Sequence, residues 1–191
     1  RGRVTRRIAL LQPDPPRIAQ GEEEAPPPHY DLYQKLPLRW GGTGRNSPLW
    51  EAKFNIEEVC NQDCVFCFAR DGDLRLTDLA SAPEIFGRLS AEGVEGIMFS
   101  GREPTLNIQL PEYIAQARAA GMKNVTVETN ALLFADKTQV ADCRKAGLDA
   151  AFVSFHSCRA ETVARLTGTP DSFARTLQGV INLLEAGIEV E

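Results

Sequence analysis

The feature of this sequence that most constrains its fold is a series of short apolar runs that alternate with amphipathic segments. The runs are bounded by turn residues and occupy positions 51–56, 95–100, 124–129, 149–155 and 187–191. Apolar runs of this length that alternate with helical patterns are typical of parallel βα units with right-handed crossovers. The sequence therefore predicts four complete units and the start of a fifth strand.

Helix signals stand between and after these runs. Ser81 and Glu84 predict a capping box at the start of the first helix, and Asp171 is the predicted cap of the fourth. The fourth helix has the strongest pattern, because its apolar residues recur at helical spacing. They are Phe173, Leu177, Val180, Ile181 and Leu184.

The length of the chain bounds the architecture. A complete eight-unit barrel needs roughly 250 residues, whereas this chain has 191. We therefore expect an α/β fold that is a partial (β/α) barrel, truncated after about strand 5 and continuing in a longer protein. Residues 49–191 form the predicted core. Residues 1–48 form a predicted irregular, proline-rich arm, since their proline clusters favour extended conformations.

The composition argues against several classes of function. The chain has 26 acidic and 21 basic residues, which gives a formal net charge of −5. Nucleic-acid-binding domains usually carry a basic face, so this balance favours other partners. No apolar run is long enough for a transmembrane helix or a signal-peptide core, which predicts a cytoplasmic protein without a membrane partner. Two histidines give little support to a hydrolase triad.

Three of the five cysteines, Cys60, Cys64 and Cys67, lie within the stretch VCNQDCVFCFAR. Thiols at such short spacing in a reducing compartment predict metal ligands or catalytic groups and not a disulfide framework. No further cysteine or histidine lies nearby in the sequence. A structural zinc ion takes four protein ligands, whereas a four-iron cluster with three cysteine ligands keeps one iron open. Zinc and plain thiols remain the alternatives on these residues alone.

Polar segments follow each of the first four predicted strands. The cysteines follow the first strand, and the other segments are residues 100–105, 129–133 and 154–158. In a parallel barrel or open sheet, reactive groups collect at the carboxyl ends of the strands. We therefore expect all four segments to open on one rim, which is a stronger indication of a site than any one segment.

The alternation of side chains along a strand predicts which of them face the interior. Ser154 and His156 face inward from the fourth strand, and Glu128 faces inward from the third, where a buried carboxylate needs a partner. Beyond the cofactor ligands, His156 and Cys158 are the candidates for catalytic groups, although a plain loop thiol is the simpler interpretation of Cys158. Cys143 lies on the apolar side of the third helix and is predicted to be core.

The spacing Cys60-x-x-x-Cys64-x-x-Cys67 resembles the cluster motif of the radical S-adenosylmethionine (radical SAM) enzymes. Asn61 after the first cysteine and Phe66 before the third fit that motif as well. The resemblance covers about residues 50 to 191 and implies a partial barrel of the radical SAM type.

The rim segments extend this resemblance. Residues 101–105, GREPT, resemble the family's Gly-Gly-Glu-Pro segment, whose glutamate contacts the amino group of the bound methionine moiety. Thr129 and Asn130 are similar to a common Thr-Asn-Gly at the end of strand 3, and residues 153–157 take the place of the segment that faces the ribose or carboxylate. The resemblance thus implies these cofactor-binding residues: Phe66, Gly101, Glu103, Thr129, Asn130 and Ser154.

Two positions depart from the family pattern. Arg102 replaces the second glycine of the Gly-Gly-Glu-Pro segment, and Ala131 replaces the glycine after Asn130. If either position requires a positive φ, a side chain there is costly.

The resemblance implies two cofactors, a 4Fe–4S cluster on Cys60, Cys64 and Cys67, and S-adenosylmethionine on the open iron. A reduced cluster gives one electron to the sulfonium, and the resulting 5′-deoxyadenosyl radical takes a hydrogen atom from a substrate, while the protein orients both cofactors. An external one-electron reductant of the flavodoxin or ferredoxin kind is the expected partner. A peptide, protein or small-molecule substrate is favoured over a nucleic acid. The alternatives are a non-catalytic iron–sulfur protein and a zinc-binding interaction domain.

Overall fold

The computed structural model describes residues 51–67, 69, 74, 76, 77 and 80–191, so the predicted arm of residues 1–48 lies outside the described residues. The strands of the described part are β1 (Glu51–Glu57), β2 (Gly96–Gly101), β3 (Asn124–Thr129), β4 (Ala150–Val153) and β5 (Glu189–Val190). Its helices are α1 (Ala82–Ala91), α2 (Leu110–Ala119), α3 (Lys137–Ala146), α4 (Ala160–Thr167) and α5 (Ser172–Glu185). Short 3₁₀ turns follow β2 and β3, at Pro104–Leu106 and Leu133–Ala135. Within the described residues, no helix is long and apolar enough to cross a membrane.

The five strands are parallel and pair in the order β1-β2-β3-β4-β5. One row of register partners runs across the sheet from Phe54 through Phe99 and Val127 to Ala151. All four residues are buried, since helices pack on this face; Phe86 of α1, for example, meets Phe54 edge-on at 5.4 Å. The parallel α/β architecture predicted from the alternation of apolar runs and helices is confirmed.

The opposite face of the sheet, which corresponds to the interior of a barrel, is more polar. Lys53, Met98 and Thr126 are register partners on it. Further along β3, the Glu128 carboxylate lies 2.5 Å from Lys53 Nζ and accepts a 2.6 Å hydrogen bond from Ser100 Oγ. The predicted inward carboxylate therefore has the partner that its position requires.

The predicted N-cap residues are confirmed in position, whereas the capping box predicted at Ser81 does not form. Ser81 and Asp171 occupy the N-cap positions of α1 and α5, but neither side chain makes a capping hydrogen bond. An N-cap side chain reaches the first free N–H groups from an extended backbone, whereas ψ is 21° at Ser81 and 4° at Asp171. Asp136 of α3 shows the contrast: its ψ is 117°, and its carboxylate accepts a 2.8 Å bond from Thr138 N–H.

Helix α5 buries a different face from the one that its apolar pattern predicts. Leu177, Ile181 and Leu184 are 41%, 40% and 56% exposed. The helix instead buries small or polar residues together with one leucine, namely Ser172, Thr176, Gly179, Asn182 and Leu183. This face meets the backbone after β3, where carbonyl oxygens need donors. Asn182 Nδ2 donates to the carbonyl oxygens of Phe134 and Ala135, each at 2.9 Å.

Strand β4 ends earlier than predicted. It stops at Val153, two residues before the predicted end, so the alternation does not carry Ser154 and His156 inward as strand residues. His156 is exposed and Ser154 is half-buried. The Ser154 N–H still donates to Thr129 O at 2.9 Å, which keeps Ser154 beside the end of β3. Helix α4, which follows, was not predicted.

Candidate functional site

The three clustered cysteines lie on the loop that follows β1, which we call the cysteine loop (residues 60–67). Their thiols are half-buried and unbridged. Cys67 N–H donates to Cys64 O at 3.1 Å and closes a turn. Gln62 lies between the first two cysteines: its N–H donates to Cys60 Sγ at 3.4 Å, and its Oε1 accepts from the Cys64 thiol at 3.5 Å. The loop therefore holds the thiols together through its own backbone and one amide side chain.

The pKa values of Cys60 and Cys64 are both raised in this loop. Burial is the largest cause that raises the pKa of Cys60; the Gln62 N–H opposes it, and the charges of Glu103 and Cys67 add to it. Burial also raises the pKa of Cys64 to about 11, with further contributions from Cys60 and Cys67. Thiolates at these two positions therefore need a positively charged partner, such as a metal centre.

The donor set consists of three thiols with a neighbouring amide donor, the kinds of group that bind a four-iron cluster. Among the described residues, no group of three His, Cys, Asp or Glu side chains is placed to hold one metal ion. A four-iron cluster is a larger body, in which each thiolate binds a different iron. Asn61 Nδ2, next to Cys60, is buried and has no hydrogen-bond partner among the described residues. Such an orphaned donor fits a site whose cofactor carries the acceptor.

The cysteine loop is anchored to the end of helix α4. The N–H groups of Asp63 and Val65 donate to the carbonyl oxygens of Thr167 and Leu166, each at 2.9 Å. The last carbonyls of a helix lack intrahelical donors, so the loop and the helix end satisfy each other. Gly168 allows the approach, since it has φ +66° and an added Cβ there would lie 3.1 Å from Asp63 O. Helix α4 is therefore one wall of the site.

Glu103 joins the segments that follow β2 and β3, and its side chain is fully buried. Its Oε1 accepts from Thr105 N, Thr105 Oγ1 and Thr129 Oγ1 at 3.1, 2.5 and 2.6 Å. Its Oε2 accepts from Asn130 N at 2.8 Å. Burial raises the pKa of Glu103, and these hydrogen bonds oppose the rise. The structure thus brings Glu103, Thr129 and Asn130 together, as the rim prediction requires.

Asn130 connects that network to the cysteine loop. Its Nδ2 donates to Asn61 Oδ1 at 2.7 Å and lies 3.8 Å from Cys60 Sγ, which is within reach of a hydrogen bond to sulfur. Its Oδ1 accepts from Leu132 N at 3.0 Å. Its carbonyl oxygen accepts from Thr176 Oγ1 of α5 at 2.9 Å. One residue therefore ties β3, helix α5 and the first cysteine together.

The two departures from the family pattern have different consequences. Among the described residues other than glycine, Ala131 alone has a positive φ, +59°, so the side chain there is strained, by roughly 1–2 kcal/mol. Arg102 is not in that region, and its N–H donates to Glu57 O at 2.9 Å. Its neighbour Gly101 has φ +135°, and an added Cβ there would lie 2.4 Å from Glu57 O. The glycine that the segment keeps is the one that its backbone requires.

The segment after β4 contributes His156 to the cysteine loop. The His156 ring packs edge-on against Phe66, with ring centroids 4.7 Å apart. Partial burial of the otherwise exposed ring lowers the pKa of His156. Cys158 is exposed, and the core prediction for Cys143 is confirmed by its full burial.

The segments after four strands together form the rim. They are the cysteine loop, Glu103, the pair Thr129 and Asn130, and the segment from Ser154 to His156.

A sequence profile described as the Radical SAM superfamily matches residues 54–191. The chain belongs to the radical SAM superfamily. The family predicted from the cysteine spacing and the rim segments is confirmed.

Relatives of this radical SAM chain include enzymes with different names. It is 34% identical over 140 residues to Fe-coproporphyrin III synthase from Methanosarcina barkeri, which covers 72% of this chain and 34% of the relative. It is 31% identical over 136 residues to a probable GTP 3′,8-cyclase from Metallosphaera sedula, covering 70% of this chain and 42% of the relative. The chain thus spans less than half the length of these relatives.

Solved structures confirm the fold as the partial barrel of radical SAM proteins. A structure of anSMEcpe with bound AdoMet and the Cp18Cys peptide superposes with a TM-score of 0.58 at 19% identity, covering 75% of this chain and 42% of that one. Methylornithine synthase (PylB) superposes with a TM-score of 0.57 at 14% identity, covering 74% of this chain and 43% of that one.

Sequence reasoning missed three parts of this radical SAM site: helix α4, the face of α5, and the partnership of Asn61 with Asn130. A signal for α4 was present, because a helical pattern over residues 160–167 ends at Gly168, with Pro170 two residues later. Glycine just past a helix end and a nearby proline are the usual stop signals.

Proposed function

We propose that this chain holds a 4Fe–4S cluster through Cys60, Cys64 and Cys67 and reductively cleaves S-adenosylmethionine to begin radical chemistry on a substrate. The observation that carries this proposal is the gathering of three half-buried thiols on the rim of the parallel sheet, next to the segment after β3. When bound, the cluster supplies one electron and an open iron, and cleavage yields a 5′-deoxyadenosyl radical that abstracts hydrogen.

The chain's own part is to orient the cofactors. Glu103 is predicted to contact the amino group of the bound methionine moiety. Its Oε1 already accepts three hydrogen bonds, whereas its Oε2 accepts one, from the backbone N–H of Asn130. Since a carboxylate oxygen has two lone pairs, Oε2 retains a position for an amino group. Phe66, Gly101, Thr129 and Ser154 stay predicted cofactor contacts.

The inner face of the sheet supports a substrate that lies below the rim. Lys53 and Glu128 form an ion pair there with side chains 33% and 32% exposed, and Phe152 is 43% exposed. A face that carries a cation, carboxylates and an aromatic ring suits a peptide, protein or small molecule of mixed polarity. An external one-electron reductant of the flavodoxin or ferredoxin kind completes the proposed set of partners.

Anaerobic reconstitution of the chain with iron and sulfide tests the proposal. We expect the visible absorption of a 4Fe–4S cluster, and release of 5′-deoxyadenosine after reduction by dithionite in the presence of S-adenosylmethionine. Cys64→Ala should abolish both signals. Cys158→Ser, at the exposed loop thiol, is the matched control and should load iron like the parent. Iron loading without 5′-deoxyadenosine would instead favour a non-catalytic iron–sulfur protein.

A further inference from the structure

The side-chain amides of Asn61 and Asn130 form a hydrogen-bonded pair beside Cys60. We propose that this amide pair is the hydrogen-bonding wall of the cluster site and raises the reduction potential of the bound cluster. The inference rests on the proposed function, and it assigns the two residues a positioning and tuning role.

The orientation of the Asn130 amide is fixed by its surroundings. Leu132 N–H donates to Oδ1, so the amide must present Nδ2 to the cysteine loop. The backbone is held on both sides of the side chain, since Asn130 N–H donates to Glu103 and Asn130 O accepts from Thr176. The donor that faces Asn61 and Cys60 is therefore preorganised.

The orientation of the Asn61 amide follows from that of Asn130. Asn61 Oδ1 accepts from Asn130 Nδ2 at 2.7 Å, which leaves Asn61 Nδ2 as the donor that the pair itself does not use. That Nδ2 is buried and has no hydrogen-bond partner among the described residues. A buried donor without an acceptor is unfavourable. An acceptor of the cluster site, such as a cluster sulfide, relieves that situation.

The chemical effect follows from charge. Reduction adds one negative charge to the cluster and its thiolates, and an N–H group directed at sulfur stabilises the more negative state. Hydrogen bonds to the sulfurs are among the features that set the potentials of iron–sulfur clusters. Asn130 Nδ2 lies 3.8 Å from Cys60 Sγ, and the unpartnered Asn61 Nδ2 belongs to the residue that follows Cys60. Loss of either donor should therefore make reduction harder.

Two substitutions that leave the charge unchanged each remove one amide donor and keep the surrounding structure. Asn130→Ser removes the donor, while a serine hydroxyl can still accept from Leu132 N–H in the same kind of turn. Asn61→Ala removes the second donor and leaves the Asn130 side chain in place. Asn124→Ser, at the opposite end of β3, is the matched control. Each reconstituted protein is titrated against redox mediators and followed by the electron paramagnetic resonance signal of the reduced cluster.

We expect all three variants to load iron and sulfide like the parent. At the parent's midpoint potential, the ratio of reduced to oxidised cluster should fall by about tenfold in Asn130→Ser, a shift of ~59 mV for one electron. The midpoint potential of Asn61→Ala should shift in the same direction, and that of Asn124→Ser should not shift.

If Asn130→Ser loads less iron, the Asn61→Ala titration decides the outcome. Normal loading with parental potentials in both variants would overturn this inference alone, whereas failure of the parent to take up iron would overturn the proposed function with it.

Discussion

The hydroxyl of Thr129 donates a 2.6 Å hydrogen bond to the buried carboxylate of Glu103, which ties the segment after β2 to the end of β3. The same Thr129 oxygen accepts from Ala131 N–H at 2.9 Å, so the bond also shapes the turn that presents Asn130. The geometry of the rim therefore depends on Glu103 as well as on the cysteine loop. This dependence makes Glu103 a determinant of stability, whatever its role toward a cofactor.

Replacement of Glu103 by glutamine should destabilise the fold. The glutamine amide would place a donor against one of the groups that now donate to the carboxylate, so at least one buried donor would lose its acceptor. Such a loss lowers the free energy of unfolding by about 1–3 kcal/mol. Urea denaturation of parent and variant measures it. Glu95→Gln, at the exposed pair with Lys123, is the control and should change the free energy of unfolding by less than about 1 kcal/mol. Equal effects in the two variants would contradict the structural role.

The pH dependence of stability should reveal the buried carboxyl group. Burial raises the pKa of Glu103 above its ordinary value of 4.5, so the folded state binds more protons than the unfolded state above that pH. The free energy of unfolding contributed by this group therefore falls as pH rises from about 4.5 toward the raised pKa. The parent should therefore become more stable, relative to Glu103→Gln, as pH is lowered from neutral toward 4.5. Urea denaturation of both proteins across this range measures the difference in their free energies of unfolding. A difference that shrinks as pH is lowered would show that ionisation of Glu103 stabilises the fold.

Close backbone packing of helix α5 can be tested with a pair of glycines. A Cβ at Gly179 would lie 2.3 Å from Ala131 O, whereas a Cβ at Gly87 of α1 meets nothing within 4 Å. Gly179→Ala should therefore lower the free energy of unfolding by about 1–3 kcal/mol, the usual range for overpacking. Gly87→Ala should raise it by roughly 0.4–1 kcal/mol, since alanine restricts the unfolded chain. Thermal unfolding of both variants gives the comparison, and a neutral Gly179→Ala would contradict the close contact.

Much of the fold could be predicted from periodicity because burial against helices imposes it. The buried row from Phe54 to Ala151 is apolar for that reason, and the predicted bounds of β3, residues 124–129, match the structure. The end of β4 was not predictable in this way. Phe155 is apolar but 40% exposed, so its character extended the apparent strand beyond Val153.

The parts of the candidate site that the strand topology positions could be predicted from the sequence. The parts that depend on the path of the loop backbone could not. Parallel strands bring their carboxyl ends to one edge, which places Cys60, Glu103 and Asn130 near one another without any knowledge of the loops. The bonds from Asp63 and Val65 to the end of α4 depend on the path of the cysteine loop, which side-chain patterns do not encode.

The face that α5 presents to the rest of the fold gives a last test, because sequence and structure disagree about it. The apolar pattern predicts that Leu177 is core, whereas the structure leaves it 41% exposed and fully buries Leu183. Leu183→Ala should therefore lower the free energy of unfolding by about 2–5 kcal/mol, as for other buried leucines. Leu177→Ala should cost clearly less, since its side chain leaves little cavity when it is removed. Urea denaturation of the two variants, which delete the same atoms from the same helix, decides between the two faces. A larger loss at Leu177 than at Leu183 would show that the apolar stripe, and not the small polar face, is what α5 buries.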